Sequence, residues 1–402
     1  MKDVVNTERS TATKPLLIGF AVALALVGGV ANAAEVAVTS CADDGTAGTL
    51  RAIVMGLSEV DNNTTVDVSA CAKITLELGE IAVPVNVTIQ GAPNKTTIDA
   101  NHLSRAFHSI STKAGFDSLT LANLTVTGGF VPTSGGCVLG GSVSLQNSVV
   151  TACSAQAFGG GIAANTFDCN ASTIDTNQVS GNPGSGGGVS IGGSVHVESC
   201  TIEQNVANHS GGLFAGGLDS DDVLIVDSTI SSNVAIIADA GVYSSSPLTI
   251  RNSTIAFNVA PECAGVHGAR SVSIDSSIIA ENASTNAGCV DLVSAAAITG
   301  NHNLVSVDNG GLPSDTIIAD PILTPLANRG GMTRTHGLSI NSPAIDAGSN
   351  VGGLGFDQRG LGFDRTQGAA VDIGAYERQT DDEQLFFGGE VVITPAHGAD
   401  GN

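Results

Sequence analysis

A short strand-like pattern recurs along this chain at intervals of 24 to 28 residues, and that period restricts the folds open to it. Each copy has an apolar-x-apolar triplet, four further residues and an apolar anchor, which in five copies is followed three positions later by asparagine. The anchors are Val126, Val150, Ile174, Ile202, Ile230, Ile255 and Ile279. Small residues followed by an apolar one come 11 to 15 residues after most anchors, as in GGGV at 186–189.

The period excludes most repeat architectures. Alternating triplets interrupted by Gly and Asn do not fit a helical period of 3.6 residues. About 24 residues is too short for a βαβ unit or a propeller blade, and the Leu-rich helical segment of horseshoe repeats is missing. We therefore predict an all-β fold, a single-stranded right-handed parallel β-helix (a pectin-lyase-like solenoid), in which each period forms one coil.

The repeat also predicts which side chains form the core of the stacked coils. The triplet and anchor side chains, such as Val223, Ile225 and Ile230, are expected to point inward and to stack on their counterparts in the next coil, because one coil cannot bury its apolar face alone. Stacked strands lie about 4.8 Å apart, so seven recognised coils predict a rod body of roughly 30 to 35 Å.

The recurring asparagines are predicted to be structural. Asparagine tolerates the left-handed backbone conformation and hydrogen-bonds to neighbouring backbone groups, so a copy in each coil is typical of a turn. We expect a ladder formed by Asn177, Asn205, Asn233, Asn258 and Asn282.

The N-terminus has the pattern of a secretory signal peptide. Lys2, Arg9 and Lys14 precede an uncharged apolar stretch at 15–33 that closes on Ala-Asn-Ala. This predicts cleavage after Ala33, with an uncleaved membrane anchor as the alternative. The mature chain has no further apolar segment of membrane-spanning length, and we expect it to be secreted, either extracellular or at the cell surface.

The charge balance restricts the classes of molecule that this protein is expected to bind. The chain has a net charge of −23, and removal of 1–33, with three basic and two acidic residues, leaves −24. Nucleic acid and anionic membrane surfaces call for basic patches, so both are excluded as expected partners. A polyanionic polysaccharide would need bridging calcium. We predict no cofactor, with Ca²⁺ as the one possible exception.

Eight cysteines all lie in the predicted mature part, at positions 41, 71, 137, 153, 169, 200, 263 and 289. An even number in an exported chain permits disulfides, but their pairing stays open, and buried free thiols are an alternative. No C-x-x-C pair or His/Cys cluster in the sequence indicates a zinc site.

Several segments resemble exported bacterial β-helix proteins. The I-x-x-N and GG-apolar marks resemble the repeats of chlamydial polymorphic outer-membrane proteins. VAVTSCADDGTAGTLRAI at 36–53 looks like the N-terminal segment of CSLREA-domain proteins. That resemblance implies a short capping helix that begins at Thr49-Leu50-Arg51, with a structural role for Arg51.

The C-terminal part is similar to another such region. SPAIDAG, DQRG (357–360) and VDIGAYE (371–377) occur in the order found in the choice-of-anchor Q region of cell-surface β-helices. The resemblance implies a polar cap over the last coil. The resulting domain prediction is a signal peptide at 1–33, an N-terminal cap and first coils at 34–105, repeats at 106–310, a C-terminal cap at 311–378 and a flexible tail at 379–402.

Candidate catalytic residues are few. Asp221-Asp222 and His267-Gly268 partly match polygalacturonase motifs, although Asp221-Asp222 is also typical of a turn before a strand. Arg251 and Arg270 flank strands of neighbouring coils and could share a lyase-type groove. In the C-terminal cap, Arg329, Arg334, His336, Arg359, Arg365 and Asp372 are concentrated, which fits either an anion or glycan site or a salt-bridged cap.

These observations favour a non-enzymatic, adhesin-like rod that binds glycans or surface and matrix proteins, or a purely structural coat component. The alternative is a carbohydrate-active enzyme, either a polysaccharide lyase or a glycoside hydrolase. The two longest periods have extended loops near 178–188 and 206–222, and we expect a groove there because insertions in solenoids map to loops.

Overall fold

The structure is a computed structural model that describes residues 34–379, except 112, 114, 116, 219–220 and 286–288. The predicted signal peptide at 1–33 lies outside the described residues, as does the predicted tail beyond Gln379. Within the described part, no helix is both long and apolar enough to cross a membrane.

The chain forms a right-handed parallel β-helix of about nine turns, as the repeat predicted. Its strands belong to sheets of 18, 11 and 7 strands, and the pairings between them are parallel. The 18-stranded sheet contains two ladders, joined by the long strands Val138–Gln146 and Ile162–Asn170. We call these ladders 1 and 2, the 11-stranded sheet ladder 3, and the 7-stranded sheet ladder 4.

The strands of each ladder are short. Besides the two long strands, ladder 1 contains Ile81–Val83, Phe107–Ser109, Val189–Ile191, Leu213–Ala215, Val242–Ser244, Val266–Gly268 and Leu292–Ser294. Ladder 2 adds Glu35–Ala37, Thr64–Asp67, Val87–Gln90, Ser118–Ala122, Val195–Glu198, Val223–Val226, Leu248–Arg251, Val272–Asp275 and Ile298–Thr299.

The other two sheets are separate ladders. Ladder 3 consists of Lys73–Thr75, Thr96–Asp99, Leu124–Thr127, Val149–Thr151, Thr173–Asp175, Thr201–Glu203, Thr229–Ser231, Thr254–Ala256, Ile278–Ala280, Leu304–Val305 and Ile317–Ile318. Ladder 4 consists of Phe130–Val131, Ser154–Ala155, Gln178–Val179, Val206–His209, Val234–Ala238, Val259–Ala260 and Ala283–Ser284.

The predicted inner stacking is confirmed. Val223 and Ile225 pair with Leu248 and Ile250 in ladder 2, and these four side chains are at most 1% exposed. The anchor Ile230 is fully buried in ladder 3. The eleven strands of ladder 3 span about 48 Å at 4.8 Å per step, so the solenoid is longer than the seven recognised coils predicted.

The five predicted asparagines form a continuous stack of hydrogen-bonded side chains inside the solenoid. Asn205 Nδ2 donates to Asn233 Oδ1 at 3.0 Å, and the same contact recurs between successive members. The expectation that these asparagines adopt the left-handed conformation is wrong. The residue before each one does so instead, as at Gln204 (φ 54°) and Ser232 (φ 59°), because the inward amide then reaches backbone groups of the neighbouring coils.

The glycine-rich motifs, such as GGGV at 186–189, lie at a turn where successive coils make close backbone contact. A Cβ on Gly187 would lie 2.4 Å from the carbonyl oxygen of Gly211 in the next coil. Gly186, directly before it, has φ of 70°, which L side chains rarely adopt. Glycine is required here for space and for backbone conformation.

The N-terminal helix Leu50–Gly56 begins where the resemblance implied, and a 3₁₀ turn at Glu59–Asp61 follows it. Thr49 is its N-cap and accepts a hydrogen bond from the Ala52 amide. Arg51 is buried, forms an ion pair with Asp43 at 2.8 Å and donates to two backbone carbonyls, so its role is structural.

The C-terminal cap packs along the side of the solenoid. Thr201 donates to Arg334 O, Thr229 to Gln358 Oε1, and Thr254 accepts from the Ala375 amide. We expected this region to cover the last coil, but its contacts extend over ladder 3 across four coils. The strands beneath it are buried on both faces, whereas the earlier ladder 3 strand Val149–Thr151 alternates.

All eight cysteines are paired, which settles the open question of their oxidation state in this structure. The disulfides are Cys41–Cys71, Cys137–Cys153, Cys169–Cys200 and Cys263–Cys289. Their separations of 16 to 31 residues show that they link the chain within one coil or between neighbouring coils. The disulfides therefore reinforce the stacking that buries the core.

Candidate functional site

The outer face of ladders 1 and 2 carries a groove that crosses the solenoid along one strand. The long strand Ile162–Asn170 contributes to three adjoining depressions of about 330, 290 and 540 Å³. Its nine residues span about 30 Å at 3.3 Å per residue. We call the three depressions together the transverse groove.

One end of the transverse groove is apolar. Phe158, which is 43% exposed, and Phe214 line this depression. Phe214 stacks on Tyr243 of the next coil, with ring centroids 5.4 Å apart and planes 9° apart. The rest of the lining is mostly small and includes Leu139, Ala163, Ala164, Ser190, Gly192 and Gly216. A flat aromatic surface therefore borders a shallow floor that can accept a planar, partly apolar group.

The opposite end is rich in side-chain amides. Those that line it are Gln90, Asn123, Gln146, Asn147 and Asn170. Asn147 Nδ2 donates to Asn123 Oδ1 at 2.6 Å, and Lys95 Nζ donates to Asn147 Oδ1 at 2.9 Å. Burial lowers the pKa of Lys95. Each amide offers two donors and an acceptor, so this end can bind hydroxyl groups without requiring a charged ligand.

A histidine between two carboxylates lies where the middle and polar depressions meet. His196 Nδ1 is 3.2 Å from Asp168 Oδ2, and its Nε2 is 3.7 Å from Glu198 Oε2. Asp168 pairs with His196 in register across two coils, and Glu198 follows two positions along the strand on the same face. The three side chains are 38 to 52% exposed, so a bound ligand could reach all of them.

Carboxyl groups with a raised pKa lie beneath the C-terminal cap and within it. Burial raises the pKa of Glu203 to about 7 and that of Glu377 to about 8. Burial also raises the pKa of Asp227 well above its usual value, against the opposing effect of Arg365 3.4 Å away. Glu203 is paired with Arg334 of the cap. Glu203 and Asp227 therefore belong to the contact between the cap and the coils, whereas the Glu377 carboxylate accepts from the Gln367 and Asp372 amides within the cap.

The basic residues of the cap are held by contacts within the cap as well as by the ion pairs with the coils. Arg359 pairs with Asp357 at 2.7 Å and lies over the Tyr376 ring, 4.0 Å from its centroid. Arg365 is fully buried and donates to the carbonyls of Asp372 and Gly374. Of the two interpretations of this cluster, the contacts favour the salt-bridged cap over an anion or glycan site.

Asp221, Asp222 and His267 do not form a common site. Asp221 accepts from the Leu218 amide at 2.6 Å, which fits the turn interpretation. Asp222 is exposed and lines the middle depression. His267 lies in ladder 1 two coils further on, where its Nδ1 is 2.7 Å from Asp239 Oδ1.

Arg251 and Arg270 do not share a groove either. Arg251 ends its ladder 2 strand and pairs in register with Asp275. Arg270 precedes the strand Val272–Asp275, so the two positions lie at opposite ends of adjacent strands. Five residues of extended chain separate them by roughly 16 Å.

The prediction that the long loops border a groove is met in part. Gly216 and Asp222, from the loop near 206–222, line the transverse groove. No motif predicted Asp168, His196 or Glu198, although the sequence carries a signal for two of them. Asp168 and His196 are 28 residues apart, which is one period, and both occupy the outward position of their triplets.

Neither a family model, nor a curated protein, nor a solved structure matches this chain. The resemblances of residues 36–53 and 320–377 to exported β-helix proteins therefore stay predictions. Functional inference rests on the geometry of the transverse groove.

Proposed function

We propose that this chain is an exported binding rod whose transverse groove holds an uncharged or amino-sugar glycan at the cell surface or in the extracellular matrix. The observation that carries the proposal is the lining of the groove, where five amide side chains at one end are followed by Asp168 and His196, and then by Phe214. Hydroxyl groups suit the amides, and the apolar face of a sugar ring suits the aromatic surface.

Charge supports an uncharged or cationic ligand. The protein has a net charge of −23, and Asp168, Glu198 and Asp222 add acidic groups within the groove. A polyanionic chain would be repelled both by the net charge of the whole protein and by the acidic groups in the groove. The length of about 30 Å along Ile162–Asn170 suits an oligomeric ligand rather than a single sugar.

Export is part of the same proposal. Four disulfides suit an oxidising compartment, and the basic, apolar and Ala-Asn-Ala pattern of residues 1–33 supports secretion. The resemblance of residues 36–53 and 320–377 to parts of exported β-helix proteins points the same way. Secretion of the mature chain, with an N-terminus at Ala34 by sequencing, is the expected result.

The binding function is tested by retention on a panel of neutral, amino-sugar and uronic-acid polysaccharides. We expect retention on a neutral or amino-sugar polymer, weakened about 10-fold by Gln146→Ala with Asn170→Ala. Gln178→Ala, an exposed amide on ladder 4, is the matched control and should bind normally. Equal retention by all three proteins would contradict the proposed groove.

A carbohydrate-active enzyme is the second candidate, and the contact of His196 with Asp168 and Glu198 favours it. An imidazole within 3.2 Å of one carboxylate and 3.7 Å of another can exchange protons with a bound sugar. The same panel decides between the two, because turnover would release reducing ends or unsaturated products. Loss of that release in Asp168→Asn and in His196→Ala would establish the enzyme.

A further inference from the structure

A second cluster of polar and sulfur-bearing side chains lies at ladder 1, outside the residues that line the transverse groove. Asp239, Cys263 and His267 each place one ligand atom within 4.8 Å of the others. Asp239 and Cys263 occupy equivalent turn positions in successive coils, and Cys289 occupies that position one coil further, since the ladder 1 strands that follow them are in register. Cys263 and Cys289 are joined by a disulfide.

The imidazole of His267 is held against this stack. Its Nδ1 lies 2.7 Å from Asp239 Oδ1, and its ring packs edge-on against Tyr243, with centroids 5.2 Å apart. The side chain of Asp239 is 12% exposed and that of His267 is 33% exposed. Both side chains are therefore partly open to solvent, from which a small ion can approach them.

The disulfide controls whether the sulfur atoms can bind a metal, because the ligand form of cysteine is the thiolate. A thiol or dithiol reductant opens the bond between Cys263 and Cys289. The reductant supplies two electrons and two protons and is itself oxidised to a disulfide. The protein is left with two cysteine thiols. Metal binding then displaces the thiol protons into solvent.

We propose that Asp239, Cys263, His267 and Cys289 form a binding site for zinc, or for a cation of similar preference, when this disulfide is open. Two thiolates, an imidazole and a carboxylate are a four-ligand set that Zn²⁺ accepts, with about 2.0–2.3 Å to each atom. Asp239 Oδ1 and His267 Nδ1, 2.7 Å apart, are close enough to contact one ion.

The ion and the disulfide then serve the same purpose in two redox states. Oxidised, the S–S bond ties two coils together at their outer turn. Reduced, the metal ties the same turns together and adds the coil of Asp239. A newly exported chain that is not yet oxidised, or one that meets a thiol reductant, keeps its cross-link in this way.

The test is a titration of the purified protein with Co²⁺, a spectroscopic substitute for Zn²⁺, before and after reduction by a phosphine. We expect one equivalent bound after reduction, with a thiolate-to-cobalt charge-transfer band that Zn²⁺ removes, and no such band in the oxidised protein. His267→Ala should weaken binding by at least about 10-fold. Absence of the band in the reduced protein would overturn the proposal.

Two cysteine variants separate this site from the other sulfur atoms. The double substitution C263S/C289S should abolish the band. C41S/C71S removes a disulfide in which Cys41 is exposed and should leave the band unchanged, and the cysteines of the remaining two disulfides are at most 1% exposed. A band that survives C263S/C289S would place the metal elsewhere. Circular dichroism checks the fold, and if C263S/C289S unfolds, the comparison of reduced wild type with His267→Ala decides.

Discussion

At the scale of single residues, Asn233 shows how one inward side chain connects three coils. Its Nδ2 donates to Ile202 O in the preceding coil and to Asn258 Oδ1 in the next, each at 3.0 Å. Its Oδ1 accepts from the backbone and the side-chain amide of Asn205. Asn233 is fully buried, so water cannot replace any of these bonds.

Asn233→Ala is therefore expected to lower the free energy of unfolding by about 3 kcal/mol, because it removes several hydrogen bonds and leaves buried partners unsatisfied. The measurement is urea unfolding followed by circular dichroism. Asn165→Ala, at an exposed position, is the control and should change stability by less than about 0.5 kcal/mol. Equal urea midpoints for the two variants would show that the stacked asparagines add nothing to the stability of the fold.

At the scale of elements, the C-terminal cap is attached to ladder 3 by polar contacts. Gln358 Nε2 donates to Cys200 O and to Thr201 Oγ1, and its Oε1 accepts from Thr229. One buried side chain thus joins the cap to two coils. This explains why Thr201–Glu203 and Thr229–Ser231 carry Thr and Ser on their outer face and are nevertheless buried.

Gln358→Ala should loosen the cap without unfolding the coils. Loss of these bonds leaves buried donors and acceptors unpaired, at a cost of about 2–4 kcal/mol to docking. Limited proteolysis should then cleave within 311–378 at least about 10-fold faster than in the wild type. Gln156→Ala, an exposed amide, is the control, and unchanged cleavage of Gln358→Ala would argue against this contact.

The stability of the cap and of its contact with the coils should also depend on pH. The raised pKa values of Glu203 (about 7) and Glu377 (about 8) mean that the folded state favours their neutral forms. Their contribution is complete below the ordinary value of 4.5 and is lost as pH rises toward 7 and 8. Burial lowers the pKa of His336 to about 4, so its contribution is complete above 6.5 and is lost as pH falls toward 4.

Between pH 6.5 and 8, the contribution of His336 is constant and only those of the two carboxyls change. The free energy of unfolding should therefore fall by an amount on the order of 2 kcal/mol. The expected observation is a lower Tm at pH 8 than at pH 6.5. Glu377→Gln cannot ionise and should reduce this difference. A Tm that is constant or higher at pH 8 would contradict the assignment.

At the scale of the whole molecule, the solenoid is a stack of coils of about 48 Å, with the cap along one side and the transverse groove on another sheet. Met332 of the cap lines the polar end of the groove, so the two features meet there. A cluster of Ile278, Leu304, Leu338, Ile373 and Tyr376 forms a small second core between the cap and the coils.

Removal of the chain after residue 310 should expose this second core and the four doubly buried ladder 3 strands. Apolar surface and strands uncovered in this way promote association. We expect the truncated protein to form oligomers by size-exclusion chromatography with light scattering at concentrations where the full protein does not. A truncated protein that behaves like the full chain would show that the cap is dispensable for solubility.

The sequence predicted the coils well, because their interior depends on local order. The triplets and anchors, such as Val223, Ile225 and Ile230, place side chains alternately inside and outside, and the constant period brings like residues together. The repeat template did not match the coils before Leu119 and after Ile279, although the domain prediction placed first coils at 34–105 and repeats up to residue 310. The helix at Leu50–Gly56 was expected from the resemblance of residues 36–53, and Thr49 is its N-cap.

The tertiary structure decided what depends on contacts between distant segments. The cap lies beside ladder 3 because Gln358 and Arg365 find partners in coils more than 100 residues earlier, which no local pattern encodes. The disulfide pairs, the contact of His196 with Asp168, and the approach of Asp239 to His267 likewise require the register between coils. The sequence by itself determined a solenoid and its inner face, since side-chain alternation and period are local. Its outer face, where any ligand binds, was determined by which residues the stacking of coils brought together.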